Sequence, residues 1–416
     1  MTIFAVAAVV ITAHVIAYQK ISPFDEGVHF DYVVKAARGE IVQKGEKLGQ
    51  QAMREIACRG IDLRGLVLPP CDSLSFDPEA FPNEGFNSAD IHTPVYYGIT
   101  GGLARGLVAS GVAADMFTAA RLAGILWLGL GLLLIWYAGK ELGVATAPLA
   151  VVIGAVAATP TLLHASATVT NDTAGLVAGG LLMLVTLRWE RGRSPLWLLG
   201  LVAFLALALK TTNILAVGLC ALYLLLRPRT VDPPPPRTSN RAGLAVILGS
   251  AGLALAVWVG LHAIMAKPVV IPIDDPGGGL QFLNVLANLT TLITPVSYGL
   301  PTAVLGEIAF WAIGGFLGVL MIGATVAPVL RGSFSERWER LAGSAGITML
   351  LGGALFALAS YALYGEVIVS PRYGISLIPA LAVALAAAIR WRPAIWGLWV
   401  FAVGQLALVL SALVSA

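Results

Sequence analysis

MTIFAVAAVVITAHVIAYQKISPFDEGVHFDY, residues 1–32, joins an apolar segment at 2–19 to an acidic, Pro-containing turn, and this junction decides how the rest of the chain is read. A carboxylate pair, Asp25 and Glu26, at the mouth of a membrane helix is an expensive placement of charge unless water or a substrate meets it. Beyond Pro23 the pattern turns helical, with Phe30, Val33, Val34 and Ala37 at i, i+3, i+4 and i+7 and with Asp25 and His29 one turn apart on another face. The spacing predicts an amphipathic helix along the membrane surface with its acids toward water. Asp25 and Glu26 have two readings here, as a cap near the positive end of that helix or as the lip of an active site.

Hydrophobic residues make up 58% of the 416-residue chain and charged residues 12%, and apolar runs of about 15 to 25 residues recur along its length. That composition predicts an all-α polytopic membrane protein, a single transmembrane domain over 1–416. A net charge of +3, with the basic residues scattered through loops, excludes nucleic acid as a partner and leaves membrane lipids. The first apolar segment has almost no basic n-region and no small-residue cleavage site after it, so it is expected to be a retained span.

The candidate spans are 2–19, 119–139, 145–165, 173–187, 195–209, 213–226, 242–265, 303–330, 342–362, 375–389 and 394–414, eleven in all. The apolar block 195–226 is split at Lys210, because one continuous helix would bury that lysine at mid-membrane and put arginine clusters on both sides. The segment 94–112, PVYYGITGGLARGLVASGV, is long enough to span but carries Arg105 and five glycines. It is assigned as a juxtamembrane helix in the outer interface on charge parity. The connections at 188–193, 227–241, 331–340 and 390–392, with Lys140, hold 13 of the 26 Lys and Arg, and on an eleven-span count they share one side, the cytoplasm. The first external loop is then 20–118, with juxtamembrane amphipathic helices, and a second long external loop covers 266–302. Cys58 and Cys71, thirteen positions apart in the first loop, are spaced to close a disulfide in an oxidising compartment, whereas Cys220 lies in an apolar run. The PPPP run at 233–236 reads as a stiff cytoplasmic connector.

This topology gathers on one face the polar residues that apolar composition does not explain: Asp25, Glu26, His29, His92, Tyr96, Tyr97, Arg121, Asn171, Asp172, Lys210, Arg372 and Tyr373. Each taken alone has a structural reading: His92 as a helix cap, Arg121 as a snorkelling side chain, Asn171-Asp172 as a turn, Tyr373 as part of the aromatic belt. Their shared face predicts an outward-facing polar cavity.

At these residues the chain resembles the GT-C superfamily of polytopic glycosyltransferases, which use polyprenyl-phosphate-linked sugars, and is most similar to a bacterial branch of it. The resemblance rests on FDEGVHFDY after the first span, HTPVYY, AARLAG at the start of a span, the Asn-Asp of TVTNDTAG and a late PRY. It is clearest over 20–175 and 370–379. It implies a catalytic aspartate in the first external loop, which maps onto Asp25 with Glu26 beside it, and a second acidic position, which maps onto Asp172. Thr93 departs from the family's usual second proline, and no C-terminal soluble domain like the family's is expected after the last span.

The residue inventory suits that chemistry without the family name. Displacing a lipid phosphate from a sugar C1 needs a base for the acceptor hydroxyl and a cation for the leaving phosphate, with little acid assistance. Asp25 and Glu26 are the expected catalytic carboxylates; Arg372, Tyr373, Arg121 and Lys210 the expected donor-phosphate contacts; His29, His92, Tyr96, Tyr97, Asn171 and Asp172 the expected substrate contacts. A glycosidase would need two carboxylates facing each other across the bond, whereas adjacent helical residues point about 100° apart. A divalent cation stays open as a cofactor, with Asp25, Glu26 and Asp172 as its ligands if they converge. The expected enzyme sits in the plasma (inner) membrane and serves a glycan, lipid or protein acceptor on the extracytoplasmic side. The rival class is a transporter or lipid flippase, but no internal halves with matched broken helices are visible.

Overall fold

A computed structural model describes residues 2–61, 63, 65–227, 240–266, 291–293, 295–296, 307–364, 367 and 369–415. The external loop expected at 266–302 and the PPPP run lie outside the described residues, apart from 266, Thr291–Ile293 and 295–296. The described chain is helical. In order, the helices are α1 (Thr2–Ala17), α2 (Glu26–Ala36), α3 (Gln50–Arg59), α4 (Val95–Ala109), α5 (Met116–Leu122), α6 (Gly124–Glu141), α7 (Thr146–Ala157), α8 (Pro160–Ala167) and α9 (Thr173–Glu190). They continue with α10 (Leu196–Leu209), α11 (Ile214–Leu225), α12 (Asn240–Met265), α13 (Glu307–Arg331), α14 (Arg337–Tyr364), α15 (Ile378–Ala388) and α16 (Arg392–Ser415).

Among the described residues six helical segments are long and apolar enough to cross a membrane, or seven if the bent pair α7–α8 is one span; α1, α10 and α11 are shorter apolar helices. These are the helices of a membrane-embedded protein. The segment expected as one straight span at 145–165 is instead broken, with α7 and α8 meeting at 61°. Pro160 explains the break: it has no N–H to extend α7, it starts α8 at a position where a donor is not needed, and it holds Thr159 extended at ψ 148°. The expected break at Lys210 is present. Lys210 is extended, a turn of 3-10 helix follows at Thr211–Asn213, and the Ala206 carbonyl near the end of α10 accepts both the Lys210 N–H at 3.3 Å and Asn213 Nδ2 at 2.9 Å.

Two apolar cores result. One is the bundle core, in which α9 packs against α6 and α10, α10 against α12, and α7 against α16. The 3-10 segment Pro371–Leu377 lies so close on α9 that a Cβ at Gly179 would collide with the Ser376 carbonyl, a position only glycine fills. The second core belongs to the first loop, where Phe30, Val33, Met53, Ile56, Tyr97 and Ala104 bring α2, α3 and α4 together. A buried polar knot closes it: Lys35 meets Asp31 at 2.7 Å and Glu46 at 2.8 Å, and Asn87 donates to Asp31 at 2.7 Å. Helix α4, covering most of 94–112, packs on α2 and α5 inside this loop cluster. Cys58, near the end of α3, is disulfide-bonded to Cys71.

Helix α9 has 18 residues and is therefore about 27 Å long, close to the thickness of a bilayer core. At its far end Glu190 takes Tyr223 Oη at 2.6 Å, Arg337 Nε at 2.8 Å and Arg340 Nη2 at 2.5 Å, while Glu141 takes Arg191 at 3.0 Å. Asp172 stands at the near end, and there the expected site residues meet.

Candidate functional site

Four charged side chains form an alternating line. Arg372 Nη2 donates to Asp25 Oδ2 at 2.9 Å, Arg372 Nη1 lies 3.7 Å from Asp172 Oδ2, and Lys210 Nζ pairs with Asp172 Oδ1. Thr170 Oγ1 also donates to Asp172 Oδ2, at 3.0 Å. Lys210 and Asp172 are each 4% exposed, Arg372 is 16% exposed and Asp25 48%, so the line runs from a buried end to water. Lys210 Nζ lies 5.5 Å above the Tyr373 ring, a cation–π distance.

Each member has a local cause. Asp25 precedes α2 with φ 64°, a left-handed conformation that costs an L-residue about 1 kcal/mol and that Asp tolerates better than most. Its side chain makes no capping bond to α2, which leaves it to Arg372. Pro371 opens the 3-10 segment that carries Arg372. Asp172 sits just ahead of α9, and Lys210 lies in the break between α10 and α11. Burial pushes the Asp172 carboxyl up, but Lys210 and Arg372 outweigh it and hold it well below the ordinary carboxylate range.

A ring stack flanks the line. Tyr32 and Tyr97 stack at 4.0 Å, Tyr97 Oη meets His29 Nδ1 at 2.7 Å, and His92 stacks on His29 at 5.5 Å. Burial lowers the His29 imidazole from 6.5 to about 3, and Arg372 and Lys210 push the same way. His92 is held well below its ordinary value by burial and by its neighbours His29 and Lys210. Both imidazoles are neutral near pH 7.

The structure divides the sequence-derived list. Asp25, Asp172, Lys210, Arg372, Tyr373, His29, His92 and Tyr97 come together, with Asn171 beside Asp172. Glu26 and Arg121 do not join them, because they satisfy each other. Arg121 Nε and Nη2 fork onto Glu26 at 2.8 and 2.7 Å, and both residues are 1% exposed. Glu26 also accepts Ser22 N at 2.7 Å and Val169 N at 2.8 Å, while Arg121 donates to the carbonyls of Tyr18 and Lys20. This knot ties the end of α1 to α2, α5 and the 168–172 turn, so the residues expected in catalytic and phosphate roles clamp the structure here and stand outside the charge line. Tyr96 packs on Trp127 at 5.4 Å in the loop core, is 2% exposed, and hydrogen-bonds the Thr170 backbone beside Asp172. Among the described residues no group of three or more His, Cys, Asp and Glu is arranged to hold a metal ion; Asp25, Glu26 and Asp172 do not converge as such a set.

Sequence reasoning missed Ser22 and His164, whose Oγ and Nε2 lie 3.0 Å apart in a buried pair 142 residues apart in the chain, and Thr170. Only Thr170 carried a signal, since a Thr two residues before an Asp in TVTND is a turn pattern. No protein-family model and no curated protein matches the chain.

Proposed function

We propose that the protein is a GT-C-type membrane glycosyltransferase that moves a sugar from a polyprenyl-phosphate donor to a hydroxyl acceptor. The observation that carries this reading is the line Asp25–Arg372–Asp172–Lys210 at one end of α9, with an apolar core between it and the Glu141 and Glu190 network at the other. On the eleven-span topology that end faces the extracytoplasmic side of the plasma membrane, where lipid-linked donors present their sugars. A transporter or flippase would string its charges along a path across the membrane, and the described ones collect at two ends.

Arg372 has a planar fork suited to two phosphate oxygens, and Lys210 supplies a second positive charge a carboxylate away. A donor phosphodiester arriving at Arg372 takes over the guanidinium now held by Asp25. Asp25, nearly half exposed, is then free to accept the acceptor's proton. The acceptor oxygen attacks C1, the C1–O bond to phosphate breaks, and its electron pair leaves on the lipid phosphate, whose charge Arg372 and Lys210 neutralise. Asp172 keeps its two cations in place throughout.

The test is transfer by the purified protein, supplied with polyprenyl-phosphate sugar and envelope acceptors. Wild type is expected to transfer, and Asp25→Asn, nearly isosteric but unable to take the proton, to lose a hundredfold or more, about 2.7 kcal/mol of barrier, at unchanged expression. Wild-type turnover by Asp25→Asn removes Asp25 from the mechanism. A wild-type protein that neither binds nor consumes the lipid overturns the whole reading.

A further inference from the structure

The charge line leaves one buried group without a purpose. Asn171 is 0% exposed, and neither its Oδ1 nor its Nδ2 has a hydrogen-bond partner among the described residues. The other buried asparagines among the described residues are bonded: Asn87 donates to Asp31 and the Val28 carbonyl, and Asn213 to the Ala206 carbonyl. An unmatched buried polar group costs about 1–3 kcal/mol, so an amide idle at both ends is a large concession.

Other orphan atoms are scattered through the bundle, Gln405 among them, but Asn171 has company. The His92 Nδ1 and Ser370 Oγ atoms are also buried without partners among the described residues. Asn171 and Ser370 belong to segments that build the charge line, and His92 to the ring stack that flanks it, close enough to Lys210, Asp172 and Arg372 to feel their charge. Asn171 is next to Asp172, whose Oδ2 is 3.7 Å from Arg372; Ser370 lies two residues before Arg372; His92 stacks on His29 at 5.5 Å. A phosphate held by Arg372 carries its sugar one bond away, so groups beside Arg372 stand where that sugar must sit.

Taking the glycosyltransferase reading as given, we infer that Asn171, with His92 and Ser370, forms the sugar subsite of the donor and reads neighbouring hydroxyls on a neutral sugar. The amide offers one donor side and one acceptor side, and a hydroxyl is both, so two adjacent hydroxyls satisfy both ends of Asn171 at once. These three side chains carry no formal charge, because the His92 imidazole is neutral, and among them none pairs with the carboxylate of a uronic acid or the ammonium of an amino sugar. A site whose polar groups are unmatched until a hydroxyl arrives discriminates strongly against an analogue that lacks it.

The experiment measures binding to the detergent-purified full chain of two lipids, polyprenyl-phosphate-glucose and the same polyprenyl phosphate esterified with methyl, which keeps the phosphodiester charge. Wild type is expected to bind the glucosyl lipid at least about tenfold tighter. Asn171→Ala is expected to erase that difference and leave methyl-ester affinity unchanged. Asn171→Leu is expected to keep or raise the thermal midpoint, since it removes an unsatisfied buried amide; a merely structural asparagine would lower it. Should Asn171→Ala not fold, Asn171→Asp, similar in size but lacking the donor, serves in its place. Equal binding of the two lipids by wild type, with Arg372→Ala weakening both, overturns the sugar subsite and leaves the phosphate reading standing. Full retention of the glucosyl advantage in the Asn171 variants also overturns it, and binding of neither lipid overturns both readings together.

Discussion

Asp25 and Glu26 are neighbours in sequence and opposites in environment. Glu26 is 1% exposed and saturated by Arg121 and two backbone amides; Asp25 is 48% exposed and holds one arginine that a phosphate can claim. Removing one member of a buried pair strands the other, so Glu26→Ala or Arg121→Ala is expected to destabilise the protein by about 3–5 kcal/mol, read as a drop in thermal midpoint or loss of folded yield. Substitution at Asp25 leaves that midpoint nearly unchanged, because its carboxylate is 48% exposed and Arg372 keeps Asp172 as a partner. Arg372 tests the phosphate role by the conservative route. Arg372→Lys keeps charge and loses the fork, and donor affinity is expected to fall severalfold to a hundredfold with expression unchanged. Normal donor affinity in that variant would sink the phosphate role and leave Arg372 as an anchor of its helix end.

At the scale of elements, α2 and its loop partners explain the stacked rings and give them a pH signature. His29 titrates near 6.5 in the unfolded chain and near 3 in the fold, so between those values the unfolded state binds more protons and stability rises with pH. The contribution is fully present above about 6.5 and is lost as pH falls toward 3. The thermal midpoint of wild type is therefore expected to drop between pH 7.5 and pH 5 more steeply than that of His29→Gln, whose side chain does not titrate. Parallel slopes would remove His29 as the source. The helix ends at Ala167 and Leu209 matter at this scale as well, because each leaves a short polar segment, one carrying Thr170 and Asp172 and the other Lys210, at the site.

At the scale of the whole molecule, two groups of charged side chains among the described residues sit at the ends of α9, one arginine-rich and knotted on Glu141 and Glu190, the other holding the mixed line at Asp25. If the arginine-rich end is cytoplasmic, the loop with Cys58 and Cys71 lies outside, and its cysteines resist a membrane-impermeant thiol reagent on intact cells until reductant is added. Ready labelling without reductant would reverse the orientation. The membrane class, the break at Lys210 and the polar residues worth watching were legible in the chain itself, because apolar composition and the cost of burying charge act locally and along the sequence. The partition of those residues was not. Glu26 finds Arg121 across 95 positions and Asp25 finds Arg372 across 347, and neither pairing has any trace in spacing. Which acid is clamped and which is free depends on where α5, α9 and the Pro371–Leu377 segment bring their cations, and that is set by helix packing in three dimensions.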